Sequence, residues 1–226
     1  MSSNRTFLSS FRHWSLVVAV LLNLTATVAQ TLPPLEKGPF RQPDLVELIR
    51  FDPTLKLDIR YASANNFVGQ PVYDSGRAFL QRPAAEALAR AHLKARARGY
   101  GFLVLDAYRP WEVTRLFWER FPHFRPYLAD PAQGSRHNRG CAVDLTLFDL
   151  RTGYEIQMPS VYDDFSERAH PGYGGGTASQ REARNLLRKL MESEGFSVYE
   201  NEWWHFDCKE WREYPIMNIH FSDFLN

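Results

Sequence analysis

The chain has 226 residues, of which 44% are hydrophobic, 14% aromatic and 23% charged, and its formal net charge at pH 7 is +1. This composition is typical of a folded globular protein and excludes an intrinsically disordered one. The nearly balanced charge shows no excess of basic residues of the kind that nucleic-acid binding requires, so no nucleic-acid partner is expected.

The first 29 residues have the pattern of a secretory signal peptide. Arg5 and Arg12 precede an apolar run that begins at Trp14, and the segment ends in the small-residue stretch A-T-V-A. We therefore expect secretion across the inner membrane, removal of residues 1–29, a periplasmic location and no stable membrane insertion afterwards. A retained N-terminal anchor is the less favoured alternative, because the apolar run is short for a membrane span.

Residues 30–47 are rich in proline and are predicted to form an extended lead before a folded domain that spans 48–226. Within the domain, hydrophobic periodicity, capping residues and glycine stops predict regular elements. The predicted elements are, in chain order, a strand at 55–61, a helix from Pro83 to about Arg98, a strand at 101–106, a helix that starts at Pro110, a strand at 141–147, a hairpin with its turn at 151–153, a helix to about Glu194 after a capping box of Ser179 and Glu182, and closing strands at 196–199 and 203–206.

Two irregular stretches are candidates for the walls of a ligand pocket. Tyr61, Asn65 and Asn66 would suit the roof of a small pocket, although a simple turn also explains them. The segment 158–177, which includes Asp163, has too many proline, glycine and aspartate residues for regular structure. Long loops of this kind are often functional.

A histidine and an acid flank a glycine in the stretch S-R-H-N-R-G-C-A-V-D-L-T-L at 135–147. From Cys141 onwards the side chains alternate like those of a strand, which puts Asp144 inside an otherwise hydrophobic run. A carboxylate there is costly unless it is paired, hydrogen-bonded or bound to a cation. Gly140 permits a turn that would fold His137 back over Asp144. A metal site and an ordinary buried ion pair both fit these residues.

A second acid and histidine occur near the C-terminus in E-W-W-H-F at 202–206. Together with His137 and Asp144, His205 completes three ligands of the type that catalytic zinc takes, and one position is left for water. Glu202 would then accept the proton of that water, provided that it is not itself a ligand. Taken singly, His205 also fits a core histidine, and Glu202 fits a surface acid at the start of a strand.

Arg109 lies in the sequence D-A-Y-R-P, between the predicted strand at 101–106 and the helix that starts at Pro110. A junction between two rigid elements is a place where functional side chains are often presented. An ion pair with Asp106 explains this arginine nearly as well. Both interpretations stay open on the residues alone.

The motifs S-x-H-x-x-G-x-A-x-D and E-x-x-H together resemble the zinc D,D-peptidases, specifically the D-alanyl-D-alanine dipeptidases related to the vancomycin-resistance enzymes. The resemblance extends to D-I-R-Y-A-S-A-N-N-F-V-G at 58–69, D-A-Y-R-P at 106–110 and M-P-S-V-Y-D-D-F at 158–165, and so covers about residues 43–220. It implies an α+β fold in a single domain, with a central, mainly antiparallel sheet and flanking helices, shared with the D,D-carboxypeptidases and the hedgehog signalling domain.

The same resemblance implies roles for individual residues. The ligands that it assigns to one Zn²⁺ per chain are His137, Asp144 and His205. The catalytic residues that it implies are Glu202 as general base and Arg109 as the cation that polarises the scissile carbonyl. It also implies that Ser135 and Asp163 line the site, and Asp163 is favoured over Asp164 as the acid that holds the free ammonium group of the substrate. Tyr61, from the possible pocket roof, is the third substrate-binding residue expected.

The expected activity is therefore zinc-dependent hydrolysis of the small dipeptide D-Ala-D-Ala. One alternative is a peptidoglycan D,D-carboxypeptidase or endopeptidase that uses the same chemistry on longer stem peptides. Another is a zinc-stabilised binding module without turnover, which is less favoured because such a module has no need of a base beside an open metal position.

The two cysteines, Cys141 and Cys208, lie beside the two halves of the expected zinc site. If the strands that carry Asp144 and His205 are antiparallel neighbours, the start of one lies beside the end of the other, within bridging range. A disulfide, which would suit an oxidising compartment, and two independent buried thiols both stay open. A role as zinc ligands is less favoured, because thiolates prefer closed structural sites.

Overall fold

The computed structural model describes residues 32–224. The signal peptide predicted at 1–29 lies outside the described residues. Within them, no helix combines the length and the apolar character that a membrane span needs. The helices and strands are, in chain order, β1 (Leu45–Glu47), α1 (Leu48–Phe51), β2 (Lys56–Leu57), β3 (Phe79–Gln81), α2 (Arg82–Arg96), β4 (Tyr100–Asp106), α3 (Trp111–Arg120), β5 (Ala142–Asp149), α4 (Ala178–Glu192), β6 (Phe196–Tyr199) and β7 (Glu202–Cys208).

A five-stranded sheet in the order β2-β4-β5-β7-β6 forms the centre of the fold. Strand β2 runs parallel to β4, and the other neighbouring pairs are antiparallel. A separate two-stranded sheet pairs β1 with β3. The fold is thus the expected α+β domain with a mainly antiparallel sheet.

Strand β5 lies in the middle of this sheet and is buried over nearly its whole length. Its residues Val143, Leu145 and Leu147 are fully buried in the hydrophobic core, where helices α2 and α4 pack against the sheet. Because strand side chains alternate between faces, Asp144 points away from that apolar layer. It faces a cavity on the opposite side of the sheet.

Helix α4 begins two residues earlier than predicted. Thr177, in extended geometry, accepts a hydrogen bond from the Gln180 backbone, and the Gln180 side chain returns one to the Thr177 backbone. The capping-box spacing occurs twice, two residues apart, and the predicted Ser179 and Glu182 fall inside the helix. The structure uses the earlier of the two boxes, in which both reciprocal hydrogen bonds are made.

The predicted strand at 55–61 is shorter in the structure. Only β2 pairs with β4, and the chain then forms a 3₁₀ turn at Arg60–Ala62. The carbonyl of Tyr61 accepts hydrogen bonds from the backbone N–H groups of Val72 and Tyr73, at 2.8 and 2.9 Å. These local partners replace a continued ladder and bury the Tyr61 ring.

The described part of the N-terminal lead has no helix or strand before β1 and is attached to the body by Glu36. The carboxylate of Glu36 accepts hydrogen bonds from Arg139 Nη2 at 2.5 Å and Nη1 at 3.3 Å, and from the Ile216 backbone at 2.7 Å. Arg139 is buried and also donates to the Tyr214 carbonyl. The residues assigned to the lead therefore include a strand and a partly buried ion pair with the domain.

Candidate active site

The structure brings His137, Asp144 and His205 together on one side of the central sheet. Asp144 in β5 and His205 in β7 are direct cross-strand partners. His137 lies on a 3₁₀ turn, His137–Arg139, which ends at Gly140 with φ 67°, a conformation that glycine adopts without strain. The turn folds the imidazole back over the strand, as the glycine spacing predicts.

The three side chains aim one atom each at a common point. His137 Nε2 lies 3.1 Å from His205 Nδ1 and 3.4 Å from Asp144 Oδ1, and His205 Nδ1 lies 3.0 Å from Asp144 Oδ1. Ligands on a tetrahedron with bonds of about 2 Å lie roughly 3.3 Å apart, so these separations match a zinc site. All three residues are buried.

Asp144 Oδ1 supplies an independent test of this fit. It is buried, and among residues 32–224 no hydrogen-bond partner with acceptable geometry reaches it. An unsatisfied buried carboxylate oxygen is costly, and a bound cation would remove that cost. Two imidazole nitrogens and one carboxylate oxygen are a zinc ligand set that leaves one position open.

Groups behind the ligands fix which atom of each faces the metal position. His137 Nδ1 donates to the Ala107 carbonyl at 2.7 Å, and His205 Nε2 donates to Asp207 Oδ1 at 2.9 Å. The Tyr162 hydroxyl donates to Asp144 Oδ2 at 2.8 Å. These contacts leave Nε2 of His137 and Nδ1 of His205 as the lone-pair donors.

The charges around the cluster shift its titration. Burial alone would raise the pKa of Asp144, but His137 and His205 outweigh it and lower that pKa below the usual range. Burial alone would lower the pKa of His205, but the negative charge of Asp207 and then Asp144 raise it well above its ordinary value. The carboxylate therefore stays ionised and available to a cation.

Asp207 and Tyr162 were not identified from the sequence. Asp207 follows His205 by two residues on the same strand, so the two side chains share a face, and that alternation was a usable signal. Tyr162 comes from the irregular segment 158–177, where no periodicity indicates direction. Its position follows from how the loop folds over β5.

Glu202, at the start of β7, lies beside the cluster without joining it. Its Oε2 is 3.7 Å from His205 Nδ1, and its side chain is one-fifth exposed, at 21%. Burial, opposed by His205 and reinforced by Asp144, raises the pKa of Glu202 to about 7. A carboxylate of that pKa next to a metal position can accept and release a proton near neutral pH.

Arg109 forms the ion pair with Asp106 that one interpretation expects, and it also lines the cavity, while its catalytic role stays a prediction. Its Nη2 and Nε donate to Asp106 Oδ2 at 2.7 and 3.1 Å. Asp106 is fully buried and also accepts from the Tyr73 hydroxyl at 2.8 Å. The guanidinium lies 5.1 Å over the Tyr61 ring. Asp106 thus holds Arg109 in a fixed orientation at the cavity.

A cavity of about 410 Å³ opens over the cluster. The predicted pocket residues that line it, besides the ligands, are Tyr61, Arg109, Ser135, Asp163 and Glu202. The Ser135 hydroxyl accepts the His137 backbone N–H at 3.2 Å. A cavity of this size accommodates a small ligand and is open to solvent on one side.

Asp163 reaches the cavity because its backbone adopts an uncommon conformation, with φ 57°. The Tyr61 hydroxyl donates to its carboxylate, 3.2 Å from each oxygen. Burial, and then the negative charges of Asp144 and Glu202, raise the pKa of Asp163 well above its ordinary value. The neighbouring Asp164 instead accepts from Ser166 Oγ at 2.5 Å and does not line the cavity.

The disulfide left open by the sequence is not formed. Cys141 and Cys208 are buried free thiols, although the Cys208 backbone N–H donates to the Cys141 carbonyl at 2.8 Å. The antiparallel pairing of β5 and β7 thus brings the residues side by side, as expected. A hydrogen bond to Cys208, together with burial, raises the pKa of the Cys141 thiol, so Cys141 is a neutral thiol.

An arrangement that presents a metal with one open side to a cavity, and keeps a carboxylate base beside it, is that of a metal-dependent hydrolase. The family model described as D-ala-D-ala dipeptidase, peptidase family M15, matches residues 41–225. The chain belongs to this family, whose members are zinc enzymes.

Relatives agree with this assignment over most of their length. The D-alanyl-D-alanine dipeptidase of Escherichia coli K12 is 33% identical over 183 residues, which cover 81% of this chain and 94% of that protein. The D-alanyl-D-alanine dipeptidase of Enterococcus faecalis is 36% identical over 187 residues, covering 74% and 92%. A crystal structure of the vancomycin-resistance D,D-dipeptidase VanXYg with a D-Ala-D-Ala phosphinate analogue is 21% identical, with a TM-score of 0.42, and the match covers 78% of this chain and 59% of that one.

Proposed function

We propose that this protein hydrolyses the dipeptide D-Ala-D-Ala with one zinc ion held by His137, Asp144 and His205. The observation that carries the proposal is the convergence of these three ligand atoms at 3.0–3.4 Å, with Asp144 Oδ1 unsatisfied. The family, and relatives named as D-alanyl-D-alanine dipeptidases, support the substrate.

Zinc, when bound, supplies a Lewis acid that acidifies water and polarises the scissile carbonyl. Glu202 takes the proton from the attacking water through a carboxylate oxygen and returns it to the nitrogen of the leaving D-Ala. Arg109, held by Asp106, places positive charge where the carbonyl oxygen becomes negative. Asp163, oriented by Tyr61, binds the ammonium group of the substrate.

Amine release from purified protein tests the substrate. Free D-Ala-D-Ala is compared with a pentapeptide stem that ends in D-Ala-D-Ala, at equal concentration. Preferential cleavage of the dipeptide is expected, and preferential attack on the pentapeptide would instead identify a D,D-carboxypeptidase. Activity that disappears with a chelator and returns with zinc excludes a binding module, whereas no activity on any substrate at full zinc loading would favour one.

Export is a second part of the proposal. It is supported by the basic residues, apolar run and small-residue end of segment 1–29, which match a signal peptide. N-terminal sequencing of protein recovered from a periplasmic extract tests it. A mature chain that starts at or near Gln30 is expected, and a full-length chain confined to the cytoplasm would contradict export.

A further inference from the structure

Three arginines line the cavity, and they differ in how fully their charge is neutralised. Arg109 has two nitrogens on Asp106 and an 11% exposed side chain, and Arg139 has two nitrogens on Glu36 and an 8% exposed side chain. Arg136 is different. Its side chain is 34% exposed, and its closest carboxylate contact is a single one, Nη1 to Asp207 Oδ2 at 3.3 Å.

Asp207 cannot neutralise Arg136 fully, because it also serves His205. Its Oδ1 accepts from His205 Nε2 at 2.9 Å, while its Oδ2 faces Arg136. A guanidinium has five N–H donors, so most of those on Arg136 are left over by this one contact. Within residues 32–224, Arg136 is therefore the cavity-lining arginine with the most unused hydrogen-bonding capacity.

Aromatic rings hold the Arg136 guanidinium in place. Its central carbon lies 5.0 Å from the centre of the Trp211 ring and 5.5 Å from that of Tyr199, and both rings line the same cavity. Stacking occupies the face of a guanidinium and leaves its N–H edge for in-plane hydrogen bonds. That edge matches a carboxylate, which arginine binds through two parallel hydrogen bonds.

The substrate of the proposed reaction is a zwitterion, with an ammonium at one end and a carboxylate at the other. Besides the ligand Asp144, the acids on the cavity wall are Asp130, Asp163 and Glu202, and none of them can bind the carboxylate end. Asp163 suits the ammonium, and Glu202 suits the proton transfer. Arg109 and Arg139 are already paired. Arg136 also shares Asp207 with the proposed ligand His205, so a group bound to Arg136 lies on the same side of the sheet as the metal position.

We propose that Arg136 binds the free carboxylate of the dipeptide and so makes the protein select substrates that end in a free carboxylate one residue after the scissile bond. The inference rests on the proposed dipeptidase function. A substrate whose C-terminus continues in an amide bond offers Arg136 no negative charge. The protein would therefore favour D-Ala-D-Ala over its C-terminal amide, and Arg136 would be the source of that preference.

The test compares D-Ala-D-Ala with D-Ala-D-Ala amide in zinc-loaded wild-type, Arg136→Met and Arg136→Lys proteins. Methionine keeps the apolar stem between the rings and removes the charge, whereas lysine keeps the charge. Arg212→Met is the matched control, because Arg212 stacks on the same Trp211 ring at 4.1 Å but is exposed and does not line the cavity. Where the amide is not cleaved, its Ki as a competitor replaces kcat/KM.

For Arg136→Met, kcat/KM on the acid is expected to fall about 10- to 100-fold, the effect of losing a hydrogen bond to a charged group. In the same variant, kcat/KM or Ki for the amide and the affinity for zinc should change by less than about twofold. Arg136→Lys should recover part of the lost kcat/KM on the acid, and Arg212→Met should behave as wild type. Equal losses on acid and amide, or a lowered zinc affinity, would show that Arg136 acts through Asp207 and would overturn the inference. So would unchanged activity on both. A wild-type protein inactive on D-Ala-D-Ala would instead refute the proposed function itself.

Discussion

Two regions of the molecule pair a buried histidine with a carboxylate, and only one of them has the geometry of a metal site. In the first, His92 of α2 lies 2.9 Å from Asp52 through Nδ1 and stacks on Phe102. In the second, His205 is paired with Asp207 and faces Asp144. Each region contains one buried polar atom without a hydrogen-bond partner, His92 Nε2 and Asp144 Oδ1 respectively.

The difference lies in what surrounds the unpartnered atom. Among residues 32–224, the only group of three potential ligand side chains is His137, Asp144 and His205. The His92 ring is fully buried against the core and does not line the large cavity. A buried histidine–carboxylate pair therefore stabilises the packed core in one place and forms part of a candidate metal centre in the other. The feature that distinguishes them is a third ligand side chain that faces the same cavity.

Removing the base should give the largest effect. Glu202→Ala is expected to retain zinc and to lose about 10²- to 10⁴-fold in turnover, because it removes the group that is placed to take the proton of the attacking water. The His92 region has no counterpart to this carboxylate. The measurement is kcat on D-Ala-D-Ala together with zinc content. The control is Glu200→Ala, an exposed acid on the preceding turn that should keep wild-type turnover. Parental turnover in Glu202→Ala would remove Glu202 as the base.

Zinc should stabilise the folded protein through the cluster that contains Asp144 and not through the His92 region. At about a hundredfold excess over its dissociation constant, zinc is expected to add about 2.7 kcal/mol to the free energy of unfolding of the metal-free protein. His92→Gln should keep this increment and Asp144→Asn should lose most of it. Urea unfolding with and without zinc measures both, and an increment that depended on His92 would contradict the comparison.

The carboxylates paired with the two histidines, Asp207 and Asp52, should affect different measured quantities, zinc affinity for the first and stability alone for the second. Asp207→Asn is expected to weaken zinc binding about 10- to 100-fold, because it disturbs the tautomer and orientation of His205. Asp52→Asn, the matched change behind His92, should leave zinc affinity unaltered and lower stability only. Competition with a chromophoric chelator gives the affinities. Equal zinc affinities in the two variants would mean that Asp207 has no role in ligand positioning.

The smallest effect concerns pH. Burial lowers the pKa of His92 below its ordinary value, with Asp52 opposing in part. The folded state thus binds fewer protons here than the unfolded state, so this contribution to stability is present above the unfolded pKa of about 6.5 and is lost as pH falls through the lowered folded pKa. The stability difference between wild type and His92→Gln should therefore narrow below about pH 6.5 in urea titrations. If the stability difference instead widened on acidification, the pKa of His92 would have to be raised in the folded state, which would contradict this prediction.

Sequence patterns placed those site residues correctly whose position depends on local geometry. The alternation around Asp144 and the turn at Gly140 were readable because strand periodicity and glycine conformation depend on neighbouring residues. The N-cap of α4 was predicted two residues too late, because the same spacing occurs twice and the spacing alone does not select between the two boxes. The position of Tyr162, the φ of Asp163 and the stacking of Arg136 are set by tertiary contacts, which no local pattern encodes.

The contact between Glu36 and Arg139 limits where the chain can be shortened during maturation. Arg139 belongs to the turn that carries His137, and Glu36 supplies its buried counter-charge. Proteolysis on the N-terminal side of Glu36 leaves this pair intact, as a cut after Ala29 would. A cut on the C-terminal side would strand a buried guanidinium beside the cavity, at a cost of about 3–5 kcal/mol. Glu36 thus marks how far the N-terminus can be shortened before the turn that carries His137 loses its counter-charge.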